Sequence, residues 1–218
     1  VILKEKLDIP LAIIGSGTSN DFVSHLGVND DLEGYFDHIV SGTTIFCDVG
    51  HVGTEYFVNV ASAGMLTSVA HEVNARLKHA MGKAAYYLRG LGELPRFHTM
   101  QLHIEADDKV YDVAAYFFII VNSTIAGGLK NTAPLAKLDD GKLDMLVVRQ
   151  CSLPEFMALA ASVIAGRIDP QDKNILYIQA TTFKVQADEP AESDLDGERG
   201  PHLPLIIETV PKAIRLFI

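Results

Sequence analysis

The chain has 218 residues, with 18 Lys and Arg against 28 Asp and Glu, a net charge of −10, and 48% hydrophobic positions. That length can bury a real core in one large or two small domains. The acidic balance excludes a nucleic-acid binder, which needs a basic face for phosphates, and it provides no general attraction to anionic membranes.

The longest uncharged apolar runs, residues 113–121 and 156–165, fall well short of the ~20 residues that a spanning helix requires. The opening Val1-Ile2-Leu3-Lys4 is no signal peptide and reads as a cut end. Cys47 and Cys151 stand far apart, outside any metal or redox spacing, which favours a reduced, cytoplasmic protein.

In chain order, residues 9–14 read as a short buried strand running into Gly15-Ser16-Gly17-Thr18-Ser19-Asn20-Asp21. A short helix is expected over 20–26, stopped by Gly27. Residues 43–48 and 54–60 read as strands separated at Gly50 and Gly53. Val69, Val73, Leu77, Ala80, Ala84, Tyr87 and Leu91 recur at helical spacing, so a long helix is expected over 66–91. Strands at 100–105 and 110–121 are joined through Asp107-Asp108, and Leu102 and Ile104 face one side of the first. After a strand at 143–149, Ser152-Leu153-Pro154-Glu155 matches a capping box opening an amphipathic helix that Gly166 ends. Strands are then expected at 175–178, 182–187, 205–209 and 213–218.

Roughly nine strands, mostly neighbours in sequence, with three helices point to an α+β chain: a mainly antiparallel β-sandwich with packed helices. The opening strand, glycine loop and helix read as the remnant of an α/β nucleotide domain. This divides the chain into residues 1–42 and 43–218.

Three features could carry chemistry, and each has an ordinary alternative. The glycine turn at 15–21 could present backbone N–H groups to phosphate, or simply join a strand to a helix. Asp139-Asp140-Gly141 could hold a hard cation, or be a solvated turn. Residues 188–198, six of eleven acidic, form by default a solvated loop. In a functional version Asp196 and Glu198, two apart, would project similarly if extended, one as a base and the other orienting a metal or a partner. The eight histidines show no metal spacing, and no Gly-x-Ser-x-Gly occurs.

Taken in order, these pieces resemble the soluble bacterial branch of the diacylglycerol kinase-like lipid kinases. Gly15 to Phe22 is similar to that family's Gly-Thr-x-Asn-Asp-Phe loop. Phe57-Val58-Asn59-Val60-Ala61 with Gly64 looks like its strand before a long helix. Asn122, Gly127-Gly128 and Ala133-Pro134-Leu135-Ala136-Lys137-Leu138-Asp139-Asp140-Gly141-Lys142-Leu143-Asp144 form the most specific match, followed by Asp196-Gly197-Glu198 and Pro211 to Leu216.

The resemblance implies an ATP- and Mg²⁺-dependent kinase acting on a lipid hydroxyl at the membrane surface. Gly17, Thr18, Asn20 and Asp21 would face ATP. Asp140, with main-chain oxygens of Lys137 and Lys142, would hold a structural Mg²⁺. Glu198 would be the base and Asp196 would support it. A homodimer stays open. The family's Gly-Gly-Asp-Gly-Thr is absent, so the chain alone is expected to bind ATP poorly; Ala61-Ser62-Ala63-Gly64 also departs from the usual Gly-Phe-Asp-Ala. The competing readings are a kinase of a soluble hydroxyl compound, as NAD kinases are, and a non-catalytic lipid-binding module.

Overall fold

The computed structural model describes residues 2–5, 7–16, 20–28, 31–64 and 98–218. The expected long helix at 66–91, together with Gly17 and Thr18, lies outside them.

Two helices come first, α1 (Asp21–Leu26) and α2 (Leu32–Ser41), each stopped by a left-handed glycine, Gly27 and Gly42. The strands follow: β1 (Thr44–Val52), β2 (Glu55–Phe57), β3 (Val60–Gly64), β4 (Met100–Ala106), β5 (Lys109–Val121) and β6 (Leu143–Arg149). After helix α3 (Leu153–Ile164) come β7 (Ile175–Ala180), β8 (Thr182–Ala187), β9 (Glu192–Leu195), β10 (Glu198–His202) and β11 (Leu205–Phe217).

All eleven strands join one sheet in the order β10-β9-β3-β5-β4-β8-β11-β1-β2, with β6 and β7 branching from β5. Every pairing between these strands is antiparallel. The long strand β5 makes this possible, because its first half pairs with β4 and its second half with β3 and β6. The sheet thereby folds over a shared core containing Phe57, Leu102, Ile104, Phe118, Ile120, Met145, Phe183, Val185 and Ile207. The expected α+β architecture, mainly antiparallel β with packed helices, is what forms; of the described helices, α1 and α3 were expected and α2 was not.

Local sequence explains most elements. In β4, Met100, Leu102, Ile104 and Ala106 are buried, the period of a strand with one covered face. Six consecutive residues of β6, Leu143 to Val148, are buried because β6 lies between β5 and β7. Helix α3 starts where Glu155 accepts hydrogen bonds from the Ser152 N–H (2.9 Å) and hydroxyl (2.6 Å). It buries Phe156 and Leu159 against Tyr116, Val148 and Ile175, each such side chain contributing about 1.5–3 kcal/mol.

Four expectations are corrected. Residues 9–14 do not make a strand: only Leu11 bridges, in parallel, to Leu216, because the segment meets β11 at that one position. Gly50 does not divide β1; the strand runs through it because its missing Cβ admits the Phe57 ring from the opposite residue. The acidic stretch is not a solvated loop: Ser193, Asp194 and Leu195 are buried in β9, which pairs with β3. Residues 205–218 do not form two strands. β11 continues past Pro211 because residues 211–213 bulge out opposite Asp48, where the register skips between Cys47 and Val49.

Candidate functional site: three loops tied to the sheet ends

Asp48 sits in the apolar strand β1 and is fully buried. Its carboxylate accepts N–H bonds from Gly141 (2.6 Å) and Lys212 (2.7 Å), one on each oxygen. Its own N–H donates to the Leu138 carbonyl (2.6 Å), and its carbonyl accepts from the Asn122 amide (2.6 Å). One residue thus holds the Asp139-Asp140-Gly141 turn at both ends and also the bulge of β11. Within the turn, Asp140 is exposed and accepts the Lys142 N–H at 3.1 Å.

This geometry suits a cation held mainly by oxygen. Among the described residues no three His, Cys, Asp or Glu side chains gather as a metal cluster, so the donors would be the Asp140 carboxylate and main-chain carbonyls of a fixed turn. Hard divalent cations take such donor sets. Close by, Asp144 is buried on β6. Its Oδ1 accepts from the Tyr177 hydroxyl (2.5 Å) and the Gln179 amide (3.0 Å), while Oδ2 has no partner among the described residues. Burial pushes its carboxyl up to about 6.

The second loop is the one entering α1. Asn20 adopts a left-handed conformation, φ 51°, before the helix. Asp21 Oδ2 then accepts the Gly128 N–H at 2.9 Å. One turn later, His25 Nδ1 lies 2.9 Å from the Thr124 hydroxyl, and burial lowers the His25 pKa. Asp21 and His25 therefore dock α1 onto the segment after β5. That segment is itself held from beneath: the Ser123 hydroxyl donates to Asn59 Oδ1 (2.6 Å), and the Asn59 amide donates to the Ile125 carbonyl (3.1 Å).

The third piece is the turn between β9 and β10. Leu195 pairs with Glu198 across a two-residue loop, Asp196 (φ 51°) and Gly197 (φ 91°). Both left-handed, they make the hairpin turn that an Asp-Gly pair favours. Asp196 and Glu198, which would project similarly in an extended chain, are instead separated by this turn. Asp196 reaches back to accept the N–H groups of Val58 (2.6 Å), Asn59 (3.0 Å) and Val60 (2.8 Å). Burial raises its pKa against the pull of these three amides. Glu198 is exposed at the start of β10.

Asn59 and its neighbours join the pieces. The Asp196 turn grips the backbone at 58–60, and the Asn59 side chain holds the segment that receives Asp21 and His25. The Asn122 amide, next along, donates to both Asp48 and Val58 carbonyls. Asn20, Asp140 and Asp196 lie in turns fastened to these strand ends, with Asp21 opening α1 and Glu198 opening β10 beside them. Lys137 and Lys142 are exposed on the turn that Asp48 fixes. Asp48, Asn59, Ser123, His25 and Thr124 had no assigned role in the sequence; the one visible signal was a lone Asp inside an apolar strand.

Known proteins resemble this chain along most of its length. Residues 59–218 match the YegS C-terminal NAD kinase beta sandwich-like domain, and residues 1–52 match the diacylglycerol kinase catalytic domain. A diacylglycerol kinase of Bacillus subtilis strain 168 is 33% identical over 195 residues, 89% of this chain and 64% of that protein. One from Staphylococcus aureus strain JH9 is 31% identical over 216 residues, 99% of this chain and 68% of its own length. The chain thus spans just under two thirds of the Bacillus subtilis relative. A crystal structure of a diacylglycerol kinase from Bacillus anthracis str. Sterne superposes with a TM-score of 0.75 at 27% identity, covering 95% of this chain and 68% of that one. The chain therefore belongs to the diacylglycerol kinase family, with residues 59–218 matching its NAD kinase-like β-sandwich domain and residues 1–52 its catalytic domain.

Proposed function

We propose that the protein transfers the γ-phosphoryl group of ATP, with Mg²⁺, to a hydroxyl of diacylglycerol or a related lipid. The observation that carries this reading is the docking of the Asn20-Asp21 loop onto Gly128, beside strand ends that also hold the Asp140 turn and the Asp196-Gly197-Glu198 hairpin. Phosphoryl transfer demands positioning and charge neutralisation more than covalent chemistry, and fixed loops converging on one sheet end supply positioning.

Within this reading Glu198, exposed and free to meet a substrate, takes the proton from the lipid hydroxyl. Asp196 is a positioning residue, since both of its oxygens are engaged by backbone amides. Asp21 holds the start of α1 against Gly128, and Gly17, Thr18 and Asn20 would face ATP. Asp140 with the carbonyls of Lys137 and Lys142 would hold Mg²⁺, whose charge would steady the turn. Gly-Gly-Asp-Gly-Thr does not occur in these residues, so this chain alone binds ATP weakly in this account. The family's β-sandwich is described as NAD kinase-like, which supports a second reading, phosphorylation of a soluble hydroxyl compound.

The test compares the protein, joined to a segment that carries Gly-Gly-Asp-Gly-Thr, with its Glu198→Gln variant. Loss of transfer with lipid binding retained supports the base assignment. Equal transfer by both removes Glu198 from that role.

A further inference from the structure

Helix α1 is six residues long, Asp21–Leu26, too short to keep its shape and place without support from the fold. Its apolar side, Phe22, Val23 and Leu26, rests on two clusters that include Tyr35, Val49 and Leu216. Such contact is non-directional: it keeps α1 against the sheet and leaves its rotation and slide loosely set. Two polar contacts fix these. Asp21 Oδ2 accepts the Gly128 N–H at 2.9 Å, and His25 Nδ1 lies 2.9 Å from the Thr124 hydroxyl. The two residues stand four apart, one above the other on one side of the helix. With either contact alone α1 can pivot about a point; with both it cannot.

Thr124 is a firm post. Its carbonyl accepts the Thr132 N–H at 2.9 Å, and the hydroxyl of Ser123 beside it is tied to Asn59 Oδ1 at 2.6 Å. The Asn59 N–H donates to Asp196 Oδ1 at 3.0 Å, and Asp196 opens the turn that presents Glu198. A path of hydrogen bonds and short backbone steps therefore runs from His25 to the hairpin of the candidate base, the kind of contiguous contact that can carry coupling. At its other end α1 follows directly on Asn20, so the same helix carries the ATP-facing loop. Burial lowers the His25 pKa, which keeps the ring neutral at neutral pH and lets Nδ1 bond the hydroxyl in either sense.

We propose that His25 is a positioning residue for phosphoryl transfer: through Thr124 it fixes the ATP-facing loop in line with the hairpin that carries Glu198. The proposal rests on the kinase reading and deepens it, assigning the alignment of phosphate donor and base to one side-chain contact. Binding of ATP and binding of the acceptor each depend on one side of this link, so its loss leaves both in place. Transfer depends on both sides at once, and a displacement of about 1 Å between reacting groups costs on the order of a hundredfold in rate.

The experiment measures transfer from labelled ATP to diacylglycerol and NAD by the protein joined to a segment that carries Gly-Gly-Asp-Gly-Thr, with rates expressed per nucleotide bound. His25→Ala and Thr124→Val should each lower kcat roughly tenfold or more, with the KM for ATP within about twofold of the parent's. Because both act on one contact, the double variant should lose no more than the worse single one. His25→Asn sets an amide where Nδ1 stands, and Thr124→Ser keeps the hydroxyl, so both should restore most of kcat. His103→Ala, at an exposed histidine of β4 bonded to Asp112, should leave kcat unchanged. In this chain by itself, the Gly128 amide should exchange roughly threefold or more faster in His25→Ala, since α1 then pivots on that contact.

A kcat within about twofold of the parent's in either single variant overturns the proposal, as do multiplying losses in the double variant, which would make the two residues independent. So does a fall in transfer matched by a fall in nucleotide bound, because His25 would then only hold the fold together. An unchanged Gly128 exchange removes the link whichever substrate is labelled. Label in NAD alone, with the same losses in the same variants, keeps the link and removes the lipid reading. A parent that labels neither removes the kinase reading and the proposal with it, even where faster Gly128 exchange keeps His25 as an anchor of α1.

Discussion

Replacing Asp48 by Asn tests how the candidate site is held. The substitution keeps the side chain's shape but leaves one acceptor where there were two. One of the Gly141 and Lys212 amides, now 2.6 and 2.7 Å from carboxylate oxygens, would face an NH₂ group, and the other would keep a neutral acceptor. Hydrogen bonds to charged groups contribute about 1.5–3 kcal/mol each, so losing one and weakening the other should cost about 2–4 kcal/mol. With a urea m-value of about 2 kcal/mol per M, the unfolding midpoint should fall by about 1–2 M at unchanged m. Hydrogen exchange should locate the loss, with Gly141 and Lys212 amides exchanging roughly tenfold faster or more. A midpoint shift below about 0.3 M, with both amides still protected, would refute the claim that Asp48 clamps the turn and the bulge.

Three further outcomes follow from the geometry. Asp196→Ala frees the amides of Val58, Asn59 and Val60; water can reach them, so denaturation should show a loss of only about 1–2 kcal/mol, with faster exchange at 58–60. Asp144, whose carboxyl is pushed up to about 6 in the folded protein, should make stability greatest below about pH 4 and lower by about 2–3 kcal/mol above pH 6. A folded pKa raised above the unfolded value favours the protonated form, and Asp144→Asn should flatten that slope in urea titrations with chelator present. Gly50→Ala would place a Cβ 2.1 Å from the Phe57 ring, which is fully buried and has nowhere to move, so a destabilisation of about 1–3 kcal/mol is expected by thermal or urea unfolding.

Elements whose signals are local were legible. The Ser152 to Glu155 capping box, the one-sided burial of β4 and the turn at Asp107-Asp108 need only a few neighbouring residues to specify them. What stayed hidden depends on partners far along the chain. Pro211 looks like the end of a strand until Asp48 accepts the N–H of Lys212, 164 residues further along, and makes a bulge there. Residues 192–195 look like a solvated acidic run because Ser193 and Asp194 gain their cover only when β9 joins β3. The Asp196-Gly197 pair did carry a hairpin signal, outweighed by the charge around it. Helix α2 went unpredicted although Leu32, Tyr35, Phe36, Ile39 and Val40 fall at helical spacing between the Asp31 cap and the Gly42 stop.

The candidate site divides in the same way. Motif loops around Asn20, Asp140 and Glu198 are each ordinary turns in composition and stand out only through their order along the chain. The groups that fasten them, His25 to Thr124 and Asn59 to Ser123, are single polar residues without a pattern, and pairing across the fold alone gives them meaning.

The central claim is tested most directly by supplying labelled ATP and Mg²⁺ to the protein joined to a Gly-Gly-Asp-Gly-Thr segment, with diacylglycerol in vesicles and NAD offered together. The account predicts label in the lipid, and little of it with Glu198→Gln. Label in NAD with none in the lipid would contradict the account.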